Sequence, residues 1–458
     1  MNPNNASRRE FLKRSSALSV AGAAAPWALN LAAIGEAAAA DATGYKALVC
    51  VFLYGGNDHG NTLVPYDTAT YSSYAALRGG LATAQGALTP TLLVPAVALP
   101  DSRQYALAPE LAALKPVFDA GRLGVLLNIG PLIQPTSKAQ YVARSVPLPP
   151  KLFSHNDQQS VWQASNPEGA LSGWGGRIGD LYAAANTQAA FTAVSVSGNA
   201  VYLSGQSAVQ YQVTSNGSVP IAGIGNTLYG SSAAAQALRS LITATPGVNL
   251  MEREHARIVQ RSIDANVSLS GALSGVAPLA TVFPATPLAG QLSLVARMIA
   301  ARNALGARRQ VFFVSIGGFD SHDNLATDHP ALLAQVGPAL AAFDASTIEL
   351  GVATQVTTFT ASDFGRTLAS NGDGSDHGWG SFHFVLGGAV RGQRFFGAAP
   401  VPGNDGPDDV GQGRMLPTMA VDQLAATLAT WMGVSAGELS TVVPGIGNYT
   451  VRDLGLFA

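Results

Sequence analysis

The chain has 458 residues, of which 47% are hydrophobic and 12% are charged. This length and composition indicate a globular protein with a sizeable core and exclude a disordered chain. The formal net charge is −2 at pH 7, and removal of residues 1–40 would make it −4, because that segment holds four basic and two acidic residues. The weakly acidic balance argues against nucleic acid as a partner.

Residues 1–40 have the pattern of a twin-arginine export signal. Arg8 and Arg9 precede a mildly apolar, alanine-rich run over 15–34, and small residues at 38–40 mark a cleavage point. These are the features by which such signals are recognised. An uncleaved membrane anchor is the alternative for a run of this length, although its many alanines make it a weak span. We therefore expect a periplasmic or secreted protein that meets the membrane only during export.

Short apolar runs alternate along the chain with stretches of helical periodicity. The spacing predicts buried strands over 45–56, 122–130, 310–318, 354–362 and 382–388. It predicts helices over 109–121, 287–306 and 329–346. Strands that alternate with helices indicate an α/β fold in which a mainly parallel sheet is covered on both faces. Cys50 is the only cysteine and forms no internal disulfide, so we expect it to be a small buried core residue of the first strand.

The segment from about 187 to 282 differs from its surroundings. It is richer in Ser, Gly, Asn and Thr, and its apolar periodicity is weaker. We interpret it as an insertion or cap within one domain of residues 41–458, and not as a separate domain.

Acidic and imidazole side chains follow three of the predicted strands, at the point where each strand ends. In open α/β sheets this carboxyl edge is where ligands bind. Carboxylate oxygens and neutral imidazole nitrogens are ligands for divalent ions such as zinc, manganese or calcium. The sequence therefore predicts a site for one or two divalent ions, with candidate ligands Asp58, Asp320, His322, Asp363, Asp376 and His377.

A turn-forming role is the alternative for these acids, because they lie among Gly and Asn residues. His59 and His329 are assigned to the surface, or to a supporting position behind the site.

Two further residues are candidates for the chemistry itself. Ser154 begins the pattern Ser154-His155-Asn156-Asp157, which fits either a helix capping box or a nucleophilic hydroxyl at a helix N-terminus. The guanidinium of Arg366 fits either a clamp for a tetrahedral oxyanion or a salt bridge to a neighbouring Asp.

These motifs occur in a characteristic order, namely "VFLYGGNDHGNTLVPYD", "SHND", "GGFDSHDN" and "SDFGRT…DHGWGSFHFVLGGAVRGQRFFG". In this order they resemble the exported bacterial proteins of domain-of-unknown-function family 1501. That family is grouped by similarity with the alkaline-phosphatase-like superfamily, which includes sulfatases. The resemblance implies a central sheet with a two-metal site and a Ser or Thr nucleophile at a helix start.

The resemblance also implies individual roles. Asp58 matches the ligand after the first strand, Asp320 with His322 matches an Asp/His ligand pair, and His377 matches the late histidine. Asp363 matches the acid of an Asp-His doublet, but Phe364 follows it in this chain.

The expected function is that of an exported, metal-dependent hydrolase of phosphate or sulfate esters, acting on a small-molecule or glycan ester. In that scheme Ser154 or a water molecule attacks, and Arg366 orients the oxyanion. The alternative is a non-catalytic exported binding or cell-surface protein that keeps the fold with a degraded metal site.

Overall fold

The computed structural model describes residues 44–244 and 249–457, so the predicted export signal lies outside the described residues. The strands are β1 Lys46–Leu53, β2 Leu63–Pro65, β3 Tyr105–Leu107, β4 Leu123–Gly130, β5 Ala193–Ser195, β6 Tyr211–Gln212, β7 Arg309–Ile316, β8 Val356–Ser362, β9 Arg366–Ser370, β10 Ser375–His377, β11 Ser381–Leu386, β12 Arg394–Phe396 and β13 Met419–Ala420. The α-helices are α1 Thr68–Arg78, α2 Gln85–Leu88, α3 Lys115–Asp119, α4 Lys138–Ala143, α5 His155–Ala164, α6 Trp174–Tyr182, α7 Ser232–Thr243, α8 Leu250–Ser274, α9 Pro287–Ala300, α10 Leu325–Glu349, α11 Val421–Met432 and α12 Leu439–Val442.

One sheet organises the described part of the chain. Its strands follow the order β12-β4-β11-β8-β1-β7-β5-β6, and β13 pairs with the end of β4. β1 is central and runs parallel to both β7 and β8. β11 runs antiparallel to both of its neighbours, β4 and β8, whereas the other pairs in this sheet are parallel. The prediction of a mainly parallel α/β sheet is confirmed.

The alternation of side chains along β1 explains why both faces of the sheet are covered. Val49 and Val51 point into one apolar cluster, whose other members include residues of α9 and α10. Cys50 and Phe52 point into a second cluster, which includes residues of α6 and α11. Successive side chains of a strand face opposite sides, so a strand that is apolar throughout must be buried on both. The buried position of Cys50 is confirmed.

Two segments, residues 187–282 and helix α10, need separate description. The segment 187–282 contributes β5 and β6 to one edge of the sheet and also forms α7 and α8, so its role as an insertion or cap stays a prediction. Among the described residues, α10 alone is long and apolar enough to cross a membrane by length and composition. Half of its most apolar stretch is buried inside the protein, which is the normal situation of a core helix.

Candidate metal centre

Four side chains of metal-ligand type meet at the carboxyl edge of the sheet. Asp320 and His322 lie in the loop that follows β7, and His377 is the last residue of β10. His155 is the first residue of α5. The parallel strands β1, β7 and β8 end at this edge, so loops that are far apart in the sequence converge there.

The ligand-type atoms of these residues surround one point. Nε2 of His377 lies 3.1 Å from Nε2 of His155 and 2.8 Å from Nε2 of His322. The carboxylate of Asp320 lies 3.4 Å from Nε2 of His155, 3.1 Å from Nε2 of His322 and 3.4 Å from Nε2 of His377. His155, Asp320 and His377 offer ligand atoms that all lie within 4.8 Å of one another, a spacing that a metal ion could bridge.

The opposite nitrogen of His155 is held by a buried carboxylate. Nδ1 of His155 lies 2.6 Å from Oδ2 of Asp363, which also accepts a hydrogen bond from Nε2 of Gln159 at 2.6 Å. Oδ1 of Asp363 accepts from the backbone N–H of Gly55 at 3.1 Å. Asp363 is fully buried, so its carboxylate is satisfied by these donors and orients the imidazole.

His377 is oriented in a similar way, whereas His322 has only a more distant carboxylate near its Nδ1 atom. Nδ1 of His377 donates to the backbone carbonyl of Phe153 across 2.7 Å. Nδ1 of His322 lies 3.5 Å from Oδ1 of Asp376. A carbonyl oxygen only accepts, so the proton of neutral His377 is on Nδ1 and its Nε2 carries a lone pair. The three Nε2 atoms are thus the ones that face each other.

The environment shifts the pKa values of these groups in different directions. The hydrogen bond to Asp363 raises the pKa of His155, whereas partial burial lowers the pKa of His377. Burial raises the pKa of Asp320, but the hydrogen bond from Arg366 and the charge of His155 outweigh it and hold that pKa below its ordinary value. Asp320 is therefore the anionic member of the cluster at neutral pH.

Two glycines after β1 let the loops approach this closely. A Cβ atom on Gly55 would lie 2.4 Å from the backbone nitrogen of Asp320, and one on Gly56 would lie 2.2 Å from the ring of Phe364. Both glycines also have positive φ angles, 115° and 85°. Phe364 in turn packs its ring 4.9 Å from that of His155 and 4.7 Å from that of His377. The "YGG" that ends the first predicted strand is thus a packing requirement of the site.

Arg366 is a fully buried connection between loops. Nη1 donates to Oδ1 of Asp320 at 3.0 Å and to the carbonyl of Gly55 at 3.1 Å. Nε and Nη2 both donate to the carbonyl of Ser375. All three guanidinium nitrogens therefore have protein acceptors, and the salt-bridge alternative raised for Arg366 describes its contacts. The role of Arg366 as an oxyanion clamp stays a prediction.

Asp58 lies apart from the four convergent residues. Its side chain is fully buried and forms an ion pair with Arg78, which is also fully buried and donates to the carbonyl of Thr367 at 3.1 Å. Burial raises the pKa of Asp58, but the Arg78 guanidinium outweighs this effect and holds the pKa below its ordinary value. The sequence grouped Asp58 with the other acids because all follow strands, whereas its partner Arg78 belongs to α1.

Ser154 occupies the N-cap position of α5, as the motif suggested, but its hydroxyl makes no capping bond. Its Oγ instead donates to Oδ2 of Asp157 at 3.1 Å. The reciprocal side-chain-to-backbone pair of a capping box is therefore wrong for this residue.

The surface alternative is wrong for His59 and His329, which are 0% and 1% exposed. Burial lowers the pKa of each to about 4, so both are neutral at pH 7. His329 bonds through Nε2 to Oδ1 of Asn57 at 3.0 Å, next to Asp58.

Sequence reasoning selected Asp320, His322 and His377, which the structure brings together, but it did not select His155. A usable signal was present: the imidazole follows directly on a predicted helix start within the "SHND" motif.

Solved structures similar to this chain are distant. They include the crystal structure of Ps i-CgsB in complex with k-i-k-neocarrahexaose, at 8% identity and a TM-score of 0.37, with 87% of this chain and 74% of that chain covered. The PsFucS1 sulfatase from Pseudoalteromonas sp. is 9% identical with a TM-score of 0.36, covering 88% of this chain and 70% of that one. The lipoteichoic acid synthase LtaP from Listeria monocytogenes is 9% identical with a TM-score of 0.30, covering 86% and 73%. Likenesses this remote carry no conclusion about the chemistry of the site.

No curated protein matches this chain in sequence. A family model does match, over residues 45–446, and its description is "Protein of unknown function (DUF1501)". The match spans most of the 458 residues and includes every element that contributes a side chain to the candidate metal centre. The chain therefore belongs to the DUF1501 family.

Proposed function

We propose that this protein is an exported, metal-dependent hydrolase of phosphate or sulfate esters. The observation that carries the proposal is the meeting of three imidazole Nε2 atoms with the carboxylate of Asp320 at the carboxyl edge of the sheet. Export follows from the twin-arginine pattern of residues 1–40 and is part of the proposal.

The donor set fits a divalent cation. Each imidazole has an oxygen close to its Nδ1 atom, which is the arrangement that metal-ligating histidines have in proteins. Nδ1 of His377 donates to a carbonyl, so its Nε2 carries a lone pair that can bind a cation, and the Nε2 atoms of His155 and His322 lie 3.1 and 2.8 Å from it. Asp320 adds one negative charge to the same point.

The cluster is open to a substrate. The side chain of Asp320 is 47% exposed and that of His322 is 45% exposed, so solvent reaches the ligand atoms directly. The N-terminus of α5 is also at the site, because His155 is its first residue. The partial positive charge of a helix N-terminus stabilises anions, which favours phosphate or sulfate esters over neutral substrates.

Within this proposal the residues of the chain have distinct tasks. A bound divalent ion would supply Lewis acidity toward a phosphoryl or sulfuryl oxygen. Asp363 orients His155, and Arg366 orients Asp320 from behind. In hydrolysis the oxygen of a water molecule bonds to phosphorus or sulfur while the bond to the ester oxygen breaks; the ester oxygen gains a proton and leaves as an alcohol, and inorganic phosphate or sulfate is the other product. We favour a water molecule over Ser154 as the attacking group, because the Ser154 hydroxyl is bonded to Asp157.

A non-catalytic binding or cell-surface role is the second candidate, and one observation favours it. Phe364 stands where the resemblance implies a further imidazole, and its ring packs against both His155 and His377. An ion in such a site could stabilise a binding surface without catalysing a reaction.

Ester hydrolysis before and after metal exchange tests the proposal. The protein is stripped with chelator, reloaded with zinc, manganese or calcium, and assayed on chromogenic phosphate and sulfate monoesters. We expect hydrolysis that chelation abolishes and one of the metals restores. Asp320→Asn should remove this activity, whereas His255→Ala, at an exposed position of α8, should not change it. A metal-loaded protein with no hydrolysis on either ester class would contradict the proposal and favour the non-catalytic role.

A further inference from the structure

We infer that the centre takes a single zinc-class ion, held by His155, Asp320, His322 and His377, and that no second ion binds beside it. This inference rests on the metal dependence proposed above but not on hydrolysis. It departs from the two-ion site that the family resemblance implies, and it adds His155 as a ligand.

Five of the six separations among the four groups are close to those of one tetrahedral ion. Zinc binds imidazole nitrogen and carboxylate oxygen at about 2.0 to 2.2 Å, which places the ligand atoms of a tetrahedron roughly 3.3 Å apart. The five separations among the Nε2 atoms and the nearest Asp320 oxygens run from 2.8 to 3.4 Å. His155, Asp320 and His377 offer ligand atoms within 4.8 Å of one another, and His322 is added to them through its separations from His377 and Asp320, so these donors suit one centre.

The oxygen partners of the imidazoles support this assignment independently. The ring of His155 is held by Asp363 and that of His377 by the Phe153 carbonyl, so their orientations are set before any ion binds. Phe153 has a φ of 71°, a conformation that is uncommon for a bulky residue. The backbone is thus bent at the residue whose carbonyl holds His377, directly before the helix that presents His155.

A second ion lacks ligands. Asp58 forms its ion pair with Arg78, and both side chains are fully buried. Asp363 already accepts hydrogen bonds from His155, Gln159 and Gly55. Phe364 stands where the resemblance implies an imidazole, and its phenyl ring offers no ligand atom. Asp363 and Oδ2 of Asp58 are thus engaged by protein donors, and Oδ1 of Asp58 is the one oxygen of these two carboxylates without a hydrogen-bond partner among the described residues.

Charge opposes a second ion as well. The guanidinium of Arg366 contacts Oδ1 of Asp320 at 3.0 Å, on the buried side of the cluster. Arg78 brings another positive charge against Asp58. Another divalent cation at this edge would be repelled by two fixed guanidinium groups and by the first ion.

The donor types select the kind of ion. Three imidazole nitrogens and one carboxylate suit zinc and neighbouring transition metals, whereas calcium and magnesium require six or more oxygen ligands or retained waters. Of the ions considered from the sequence, calcium is therefore the poorest match to this set.

Metal stoichiometry and a histidine spectrum test the inference. Protein stripped by chelator is titrated with zinc in competition with a chromophoric chelator, and bound zinc is counted by elemental analysis. We expect one zinc per chain at saturation. His155→Ala should weaken binding by more than about 100-fold, because it removes a ligand. His255→Ala is the matched control and should bind as the parent does.

Asp363→Asn distinguishes a carboxylate that only orients His155 from one that itself binds a second ion. If Asp363 only orients His155, the variant should bind zinc about 10- to 100-fold more weakly yet still reach one ion per chain. Two ions per chain in the parent that fall to one in this variant would overturn the inference. So would unchanged zinc affinity in a folded His155→Ala variant.

Nitrogen NMR of the parent protein gives a readout that needs no variant. In zinc-loaded protein, the three histidines should show a protonated Nδ1 and a metal-shifted Nε2 signal. Three such histidines support the inference, whereas two or fewer overturn it. One bound zinc without ester hydrolysis would leave this inference in place and contradict the proposed function. Hydrolysis that requires two ions would contradict this inference and leave the proposed function in place.

Discussion

Nδ1 of His155 lies 2.6 Å from Oδ2 of Asp363, and this contact joins the first residue of α5 to the loop that follows β8. Asp363 is fully buried, and its carboxylate faces the imidazole and not the point where the Nε2 atoms meet. We therefore expect the acid after β8 to act on a bound ion through His155. A carboxylate in this position fixes the tautomer of its imidazole and increases its basicity as a ligand.

Replacement of Gly56 tests the packing that brings the loops together. Gly56→Ala forces a Cβ atom to within 2.2 Å of the Phe364 ring at a φ of 85°, so we expect a loss of about 2 to 4 kcal/mol in the free energy of unfolding. Gly271→Ala in the exposed interior of α8 meets nothing within 4 Å and should stabilise by about 0.5 to 1 kcal/mol. Urea denaturation of both variants checks the opposite signs. Equal stability of the Gly56 variant and the parent would refute this packing argument.

Replacement of Arg366 distinguishes support of Asp320 from binding of substrate. Arg366→Lys keeps the charge but cannot reproduce the contacts to Asp320, Gly55 and Ser375 together, so zinc affinity should fall by at least about 10-fold. Arg239→Lys on the exposed side of α7 is the control. Competitive zinc titration of the two variants gives the comparison. Unchanged zinc affinity together with a raised KM for an ester would return Arg366 to the role of an oxyanion clamp.

The hydroxyl of Ser154 can be tested by two substitutions. Ser154→Ala removes one hydrogen bond to Asp157 and should lower stability by about 1 kcal/mol while ester turnover stays near the parental rate. Ser154→Asp sets a second carboxylate against Asp157 and should destabilise more, because like charges repel. Melting temperature and turnover are measured on the same samples. A loss of turnover by orders of magnitude in Ser154→Ala would identify the serine as the nucleophile.

The buried carboxyl of Asp422 should make the stability of the protein depend on pH. Burial raises its pKa from 3.8 to about 6, so the folded state favours the protonated carboxyl. The contribution of the protonated Asp422 to the free energy of unfolding is fully present below about pH 3.8 and is lost as the pH rises through 6. The loss is about 3 kcal/mol at most. Asp422→Asn should therefore gain stability relative to the parent as the pH rises from 4 to 7. Urea denaturation at four pH values within that range measures the difference, and a constant difference would contradict the buried-charge argument.

The sequence was sufficient for five of the nine described strands of the sheet, because those strands are buried and apolar. Apolar runs with Gly or polar residues at their ends predicted β1, β4, β7, β8 and β11, and the structure has each of them within a few residues of the expected bounds. The helix predicted over 109–121 is a 3-10 helix over Pro109–Leu114 that continues into α3. Local spacing does not distinguish these two helix types over a single turn.

The candidate site was predictable only where ligands follow parallel strands or lie close along the chain. Asp320 and His322 are two residues apart, and His377 lies 55 positions beyond His322 in a motif with its own polar pattern. His155 comes from a helix start whose direction depends on packing against the second apolar cluster, through residues such as Trp162. The ion pair of Asp58 with Arg78 also depends on tertiary packing, because α1 lies outside the strand pattern. Periodicity carries no information about such partners.

A zinc titration of ester hydrolysis tests the central claim most directly. Chelated protein receives increasing zinc, and the initial rate on a phosphate or sulfate monoester is recorded at each addition. The rate should rise linearly from zero and reach its plateau at one equivalent of zinc per chain. A rate that is already present in the chelated protein, or that stays at zero through several equivalents, would contradict the central claim.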